Sequence, residues 1–309
     1  VTGEPVGLAV LDKPAGMTSH DVVAAVRRAL QIRRVGHAGT LDPPATGVLL
    51  VGVGRATRLL RFLATTEKSY DGTFALGATT TTLDAAGEVT ATFEMRGVTP
   101  EAVAAAAATL TGDVTQLPPM VSAVQVGGRR LHELAREGVE VERPARRVVV
   151  QRFDVAPVDP ADDPAGTGGW RFSVTCSSGT YVRALVDDLG RALGGGAHVT
   201  SLRRTRSGTF TLADAMALEV ALAEPGALLA ALRPPLAMVT HLGVVEVSAD
   251  DAAHLVRGRR VTTSAAGNPG EVAVRDGSGA LVCVAVRDAA GVLRPDVVVA
   301  AQGDAGCGR

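Results

Sequence analysis

Residues 34–47 read Arg34-Val35-Gly36-His37-Ala38-Gly39-Thr40-Leu41-Asp42-Pro43-Pro44-Ala45-Thr46-Gly47, one carboxylate set among glycines and prolines beside a histidine and two threonines. Glycine permits positive φ and close approach of a ligand, whereas proline fixes φ and interrupts helix and strand. The composition therefore specifies a shaped loop. A loop carrying Asp and His is a stronger functional candidate than a carboxylate on an exposed helix face. On its residues alone, Asp42 stays open between general base, nucleophile, metal ligand and Asx-turn residue. A free aspartate, with a pKa of roughly 3.9, is a poor base near neutrality but an ionised nucleophile.

Working outward, Gly7 to Asp12 reads as a short apolar strand ending at Lys13-Pro14-Ala15-Gly16. Thr18 or Ser19 caps a helix whose apolar stripe is Val22, Val23, Val26 and Leu30. Val48 to Val53 is a second apolar run, Arg55 to Ala64 has helical spacing, and Ser69 to Leu76 reads as a strand. Thr99-Pro100-Glu101 opens an alanine-rich helix. A short helix is expected over about 129–137 from the spacing of breakers. Strands are expected at Val148 to Val155 and Trp170 to Cys176, then a helix that Tyr181 opens and one from Leu212 to Leu232. After Leu242 short valine-rich runs suggest a compact β-rich module. The pattern is α+β, divided into residues 1–235 and 240–309.

The chain has 309 residues, 46% of them hydrophobic, which suits a folded main domain plus a smaller one. Its apolar runs are too short for a bilayer span and no signal-like segment stands out, so no membrane association and a cytoplasmic location are expected. Cys176, Cys283 and Cys307 are odd in number and widely spaced, which argues against a disulfide framework or a structural zinc. The net charge of −1 gives no bulk argument for nucleic acid, but arginine clusters at 27/28, 33/34, 129/130, 143/146/147, 203/204/206 and 257/259/260. Arginine's planar donor fork suits phosphate; scattered solvated clusters are the plainer account of each one.

Tyr70 and Tyr181 are the only tyrosines, each near the end of an element and able either to stack on a base or to pack in a core. Arg183 stands four residues before Asp187 and either pairs with it along a helix or turns into the pocket of Tyr181. His37 is a base- or phosphate-contacting candidate, or a locally bonded loop residue. His132-Glu133 lacks the second histidine of a metalloprotease helix, and Gly52-Val53-Gly54 lacks the lysine and spacing of a P-loop. A carbohydrate-cleaving carboxylate would need an evident second one.

Several strings together give this chain a specific likeness: Leu11-Asp12-Lys13-Pro14 with Gly16 and Thr18-Ser19, Val35 to Pro43, Lys68-Ser69-Tyr70, Gln116-Leu117-Pro118-Pro119, Ser178-Gly179-Thr180-Tyr181-Val182-Arg183 and His198 to Thr205. In order and spacing they resemble the TruB family of bacterial tRNA pseudouridine-55 synthases over essentially the full length. The resemblance implies a mixed, largely antiparallel sheet flanked by helices, with a small PUA-like RNA-binding module at the C-terminus. It also implies isomerisation of uridine 55 in the T loop of tRNA, without cofactor or metal. Asp42 would be the nucleophile, attacking either the ribose C1′ or the base of a flipped uridine. Arg183 would pair with it, and Tyr70 would stack on the base and assist proton transfer.

By the same resemblance Tyr181 and Leu202 line the pocket, His37 fills the space the uridine leaves, and Lys13 and Arg203 contact the RNA. The partner implied is the tRNA T arm and elbow, bound by a monomer with no obligate protein partner. An independent tRNA-refolding role is a second expectation from the arginine clusters. One departure is His132, where the family has tyrosine.

Overall fold

A computed structural model describes residues 4–122, 125–126, 128–130, 137, 139, 141–159, 161, 169–264 and 267–300. His132, Glu133 and Cys307 lie outside these residues. In chain order the strands are β1 (Gly7–Lys13), β2 (Val35–Ala38), β3 (Thr46–Val53), β4 (Lys68–Leu76), β5 (Ala78–Thr80), β6 (Val89–Thr92) and β7 (Gly112–Gln116). They continue with β8 (Gln125–Val126), β9 (Arg129–Arg130), β10 (Arg146–Pro157), β11 (Trp170–Cys176), β12 (Ala197–Ser207), β13 (Phe210–Thr211) and β14 (Met216–Ala217). The C-terminal strands are β15 (Val244–Glu246), β16 (Val261–Thr262), β17 (Gly270–Arg275), β18 (Leu281–Arg287) and β19 (Val292–Val298). The helices are α1 (Ser19–Leu30), α2 (Leu60–Ala64), α3 (Pro100–Thr109), α4 (Val182–Ala192), α5 (Leu218–Ala223), α6 (Pro225–Ala230) and α7 (Ala249–Val256).

The fold is α+β. A ten-stranded sheet runs β14-β1-β3-β12-β4-β11-β10-β7, with β13 on β12 and β2 on β3. Within this sheet, among the described residues, the β1–β14 and β3–β12 pairs are parallel and the rest antiparallel, so it is mixed and largely antiparallel. The apolar runs of β1 and β3 are continuous because both faces are covered. Ala9, Leu11, Leu49, Val51 and Val53 join the core beneath α1 and α4. Leu8, Val10, Val48 and Leu50 point the other way, into a second cluster with Phe62, Met238, Ala273, Leu281 and Val284. That cluster joins the large sheet to a five-stranded sheet, β15-β17-β18-β19-β16. The chain crosses between them through a 3-10 turn, Pro235–Met238, and Met238 and Val239 are wholly buried there.

Several local expectations hold and some change. Thr18 caps α1: its Oγ1 accepts from Asp21 N at 3.0 Å while the Asp21 carboxylate accepts from Thr18 N at 2.8 Å. The first half of the helix expected over Arg55 to Ala64 winds as a 3-10 turn (Gly54–Leu59) before α2. The expected helix from Leu212 to Leu232 is instead a 3-10 turn, the strand β14 beside β1, and two short helices that break at Pro225. Proline lacks the N–H needed to continue α5 and is well placed to begin α6. Arg129 and Arg130, expected to start a helix, pair as β9 with β8. The C-terminal unit carries α7 in addition to its strands, capped by Ser248 Oγ accepting from Asp251 N at 3.1 Å.

One glycine fixes how the Asp42 loop meets the sheet. Gly47 has φ +100, and a Cβ there would lie 2.2 Å from the Arg204 carbonyl oxygen across the β3–β12 pair. Only glycine tolerates both that conformation and that approach. Gly47→Ala is expected to destabilise the protein by roughly 3 kcal/mol or more, because strain and a backbone clash add. Urea denaturation checks it, and an unchanged midpoint contradicts it.

Candidate active site

The Asp42 loop is fastened from below by three buried side chains. Ser19 Oγ donates to Leu41 O at 3.1 Å and accepts from Leu41 N at 2.8 Å. Lys13 Nζ donates to the carbonyls of Pro14 (2.8 Å), Met17 (2.6 Å) and Pro43 (3.2 Å). Arg204 donates from Nε to Val48 O at 2.7 Å and from Nη2 to Gly39 O at 3.2 Å. These bonds give the buried Ser19, Lys13 and Arg204 side chains partners in the loop and its flanking strand. Lys13, expected as an RNA contact, is thus fully buried beneath the loop; burial pushes its pKa down to about 8.

Asp42 makes its turn through its backbone, Ala45 N donating to Asp42 O at 3.1 Å. Its carboxylate instead meets Arg183, whose Nη2 lies 2.9 Å from Oδ2. This separates the turn role from the chemical one. Arg183 sits in the first turn of α4 with its side chain 5% exposed. It does not pair with Asp187, which takes Arg191 at 2.8 Å. Its Nη2 also donates to Val121 O at 3.0 Å, and its Nη1 donates to Thr82 O at 2.5 Å and faces Asp84 Oδ2 at 3.6 Å. Asp84 is held by Thr82 Oγ1 at 2.6 Å and Ala86 N at 3.0 Å, each donating to Oδ1. One guanidinium therefore ties two carboxylates and two carbonyls into a fixed frame.

The start of α4 is clamped by Gln116 at the end of β7. Its Nε2 donates to Tyr181 O at 3.2 Å and its Oε1 accepts from Tyr181 N at 3.0 Å. Arg183 is therefore aimed by the strand as well as by its own helix.

A cleft of about 270 Å³ opens beside Asp42, lined by Asp42, Tyr70, Tyr181, Arg183, Leu202 and Arg204 among others. It is at the small end of the range for ligand clefts, about 300–1,000 Å³. Tyr70 is buried, and burial pushes its phenol pKa up while the Arg204 charge opposes the rise. The Arg146 guanidinium lies over the Tyr181 ring, 5.3 Å from its centre.

The other residues expected at the site, Lys13, Arg203 and His37, do not line this cleft. Arg203 spans both oxygens of Asp12 (3.0 and 2.6 Å) and reaches Thr46 Oγ1 at 3.2 Å. With Arg204 buried and Arg206 beside Glu67 at 3.5 Å, the 203/204/206 cluster is engaged within the protein. Arg204, Asp84, Ser19 and Gln116 are contributors that residue-by-residue reading does not single out. Ser19, Gln116 and Arg204 stand within the family-like strings, whereas only the threonine-rich turn signals Asp84.

His37 lies on β2, edge-on to His20 with ring centres 5.2 Å apart, and its buried Nδ1 has no partner among the described residues. Burial first, then the charges of His20 and Arg204, push its pKa down to about 4. Unfolded, the ring takes up a proton near pH 6.5, so stability present above that pH is lost as pH falls towards 4. His37→Gln should flatten the decline of the thermal midpoint through that window. Parallel declines in variant and wild type contradict this.

A crystal structure described as a Cbf5-Nop10-Gar1 complex matches 96% of this chain and 85% of its own, with a TM-score of 0.74 and 27% identity. Residues 27–182 match the TruB family pseudouridylate synthase N-terminal domain, and residues 183–231 match the tRNA pseudouridylate synthase B C-terminal domain. The architecture is that of a pseudouridine-forming isomerase. The chain belongs to the TruB family of pseudouridylate synthases. A relative from Thermobifida fusca, named tRNA pseudouridine synthase B, is 46% identical over 297 residues, covering 95% of this chain and 98% of its own. One of the same name from Rhodococcus jostii is 52% identical over 255 residues, covering 82% and 81%. Among the described residues no helix is long and apolar enough to cross a membrane.

Proposed function

We propose that this protein converts uridine 55 in the T loop of tRNA to pseudouridine, with Asp42 as the nucleophile. The observation that carries the reading is the Asp42 carboxylate held 2.9 Å from a buried arginine at a base-sized cleft walled by two tyrosines and Leu202. Such a site admits one unstacked base. Extruding that base costs a few kcal/mol from a duplex and less from a loop already folded to present it. Asp42 forms the temporary bond to the nucleotide, at the ribose C1′ or at the base. Arg183 keeps the carboxylate aimed, while Tyr70 and Leu202 sandwich the pyrimidine. Tyr70, whose hydroxyl borders Arg204, assists the proton transfer that follows rearrangement.

The exposed arginines at 33/34 and 257/259/260 supply phosphate contacts along the T arm and elbow, reading RNA shape and backbone. We assign the C-terminal sheet to tRNA placement, and the protein to the cytoplasm as a monomer. Incubation of purified protein with unmodified total tRNA tests the reading. New pseudouridine, detected by carbodiimide-dependent reverse-transcription stops, is expected at the single T-loop position. Its absence there, or conversion spread over other loops, contradicts the assignment.

A further inference from the structure

Lys68 is one of only two lysines in the chain and opens β4 two residues before Tyr70, so both side chains leave the same face of the strand. It is 6% exposed and lines the Asp42 cleft, its Cε lying 3.7 Å from where a side chain on Gly39 would begin. Its Nζ donates to Ala64 O at 2.8 Å and Thr66 O at 2.6 Å. An ammonium has three protons, so two are used among the described residues and one remains. Burial, then repulsion from Arg204, push its pKa down to about 8, which leaves it charged near neutrality. A buried cation beside a second cation is costly, and a neutral residue could pack here without that cost.

We propose that Lys68 is a catalytic residue whose third N–H hydrogen-bonds a carbonyl oxygen of the flipped uracil and stabilises negative charge on the ring during isomerisation. The inference rests on the pseudouridine-forming reading above. When the N1–C1′ bond breaks, its electron pair stays with the pyrimidine and spreads over N1, O2 and O4. C5 then supplies the pair that bonds to C1′, displacing the Asp42 carboxylate where it has bonded there; the C5 proton leaves, and N1 gains a proton. Product and substrate have the same atoms, and no redox partner is required. If Asp42 first adds at C6, conjugation carries the charge to O4. Either way a fixed cation at a ring oxygen binds the charged state more tightly than the neutral one, which is how rate is gained.

Single-turnover conversion of T-arm RNAs carrying uridine or 5-fluorouridine at the target tests this below neutral pH, with loss of the N1-linked nucleoside as the readout. Fluorine withdraws electrons and stabilises the same anion. Lys68→Gln should slow the uridine RNA by about 10²–10³-fold at unchanged RNA affinity. The loss on the 5-fluorouridine RNA should be at least roughly tenfold smaller. Equal losses on both RNAs, or a rate close to wild type, overturn the proposal. If Lys68→Gln does not fold, nitrogen-15 lysine labelling of the wild type decides, because only two ammonium resonances exist. RNA with 5-fluorouridine at the target must shift one of them and RNA abasic at that position must not. Identical spectra with the two RNAs overturn the assignment. Wild-type turnover in the same assay tests the parent reading separately, whatever Lys68 does.

Discussion

Asp42→Ala is expected to lower pseudouridine formation by about 10⁴-fold or more, the scale seen when a covalent nucleophile is deleted. Its fold should survive. The turn at Asp42 is closed by the backbone carbonyl, and the loop is fastened by Ser19, Lys13 and Arg204. Arg183 keeps Asp84 and the carbonyls of Thr82 and Val121 after the carboxylate is gone. RNA affinity should change little, because most binding energy comes from backbone contacts distant from the reacting atoms. Asp42→Asn, which preserves shape and removes the charge, should be equally inactive. Turnover near the wild-type rate by either variant contradicts a covalent role. A collapsed thermal midpoint contradicts the separation of turn from chemistry.

Arg183→Met should damage both activity and stability. The substitution keeps much of the apolar stem and removes the guanidinium that bridges Asp42 and Asp84. The buried Asp84 then lacks a counter-charge, and two carbonyls lose their donor. Removing one partner of a buried ion pair typically costs about 3–5 kcal/mol, so a marked fall in thermal midpoint is expected. Misalignment of Asp42 should cost a further 10²-fold or so in single-turnover rate, since small displacements of a reacting group are expensive. Arg183→Lys should recover little of either, because one ammonium cannot reproduce a fork that faces four acceptors. A folded Arg183→Met protein with near-native rate contradicts the positioning role.

Much of this site could be read because its signals are local. The Asp42 loop announces itself through glycine and proline, and Thr18 with Asp21 spells out the cap of α1. Arg183 is different. Its helical neighbour Asp187 offers an equally sensible partner, and only the turn of α4 into the sheet selects Asp42. Asp84 is harder still, because it reaches the site from a hairpin far along the chain from both partners. Lys13 looks like a surface contact at the end of a strand, and only the folded-over Pro43 carbonyl shows what it holds. The C-terminal helix α7 carries its own signals in Ser248, Asp251, Ala252 and Leu255, but valine-rich runs on either side draw attention to strands. Residues 212–232 mislead by composition: leucine and alanine favour helix throughout, and Pro225 together with pairing to β1 overrides them.

The most direct measurement is tritium release from T-arm RNA labelled at C5 of its uridines, since only a base rejoined through C5 gives up that atom. Wild-type protein should release one equivalent per RNA, all of it from uridine 55, and none when that position is cytidine. Full retention of tritium in RNA that the protein demonstrably binds, or release that persists with cytidine at the target, would contradict the account.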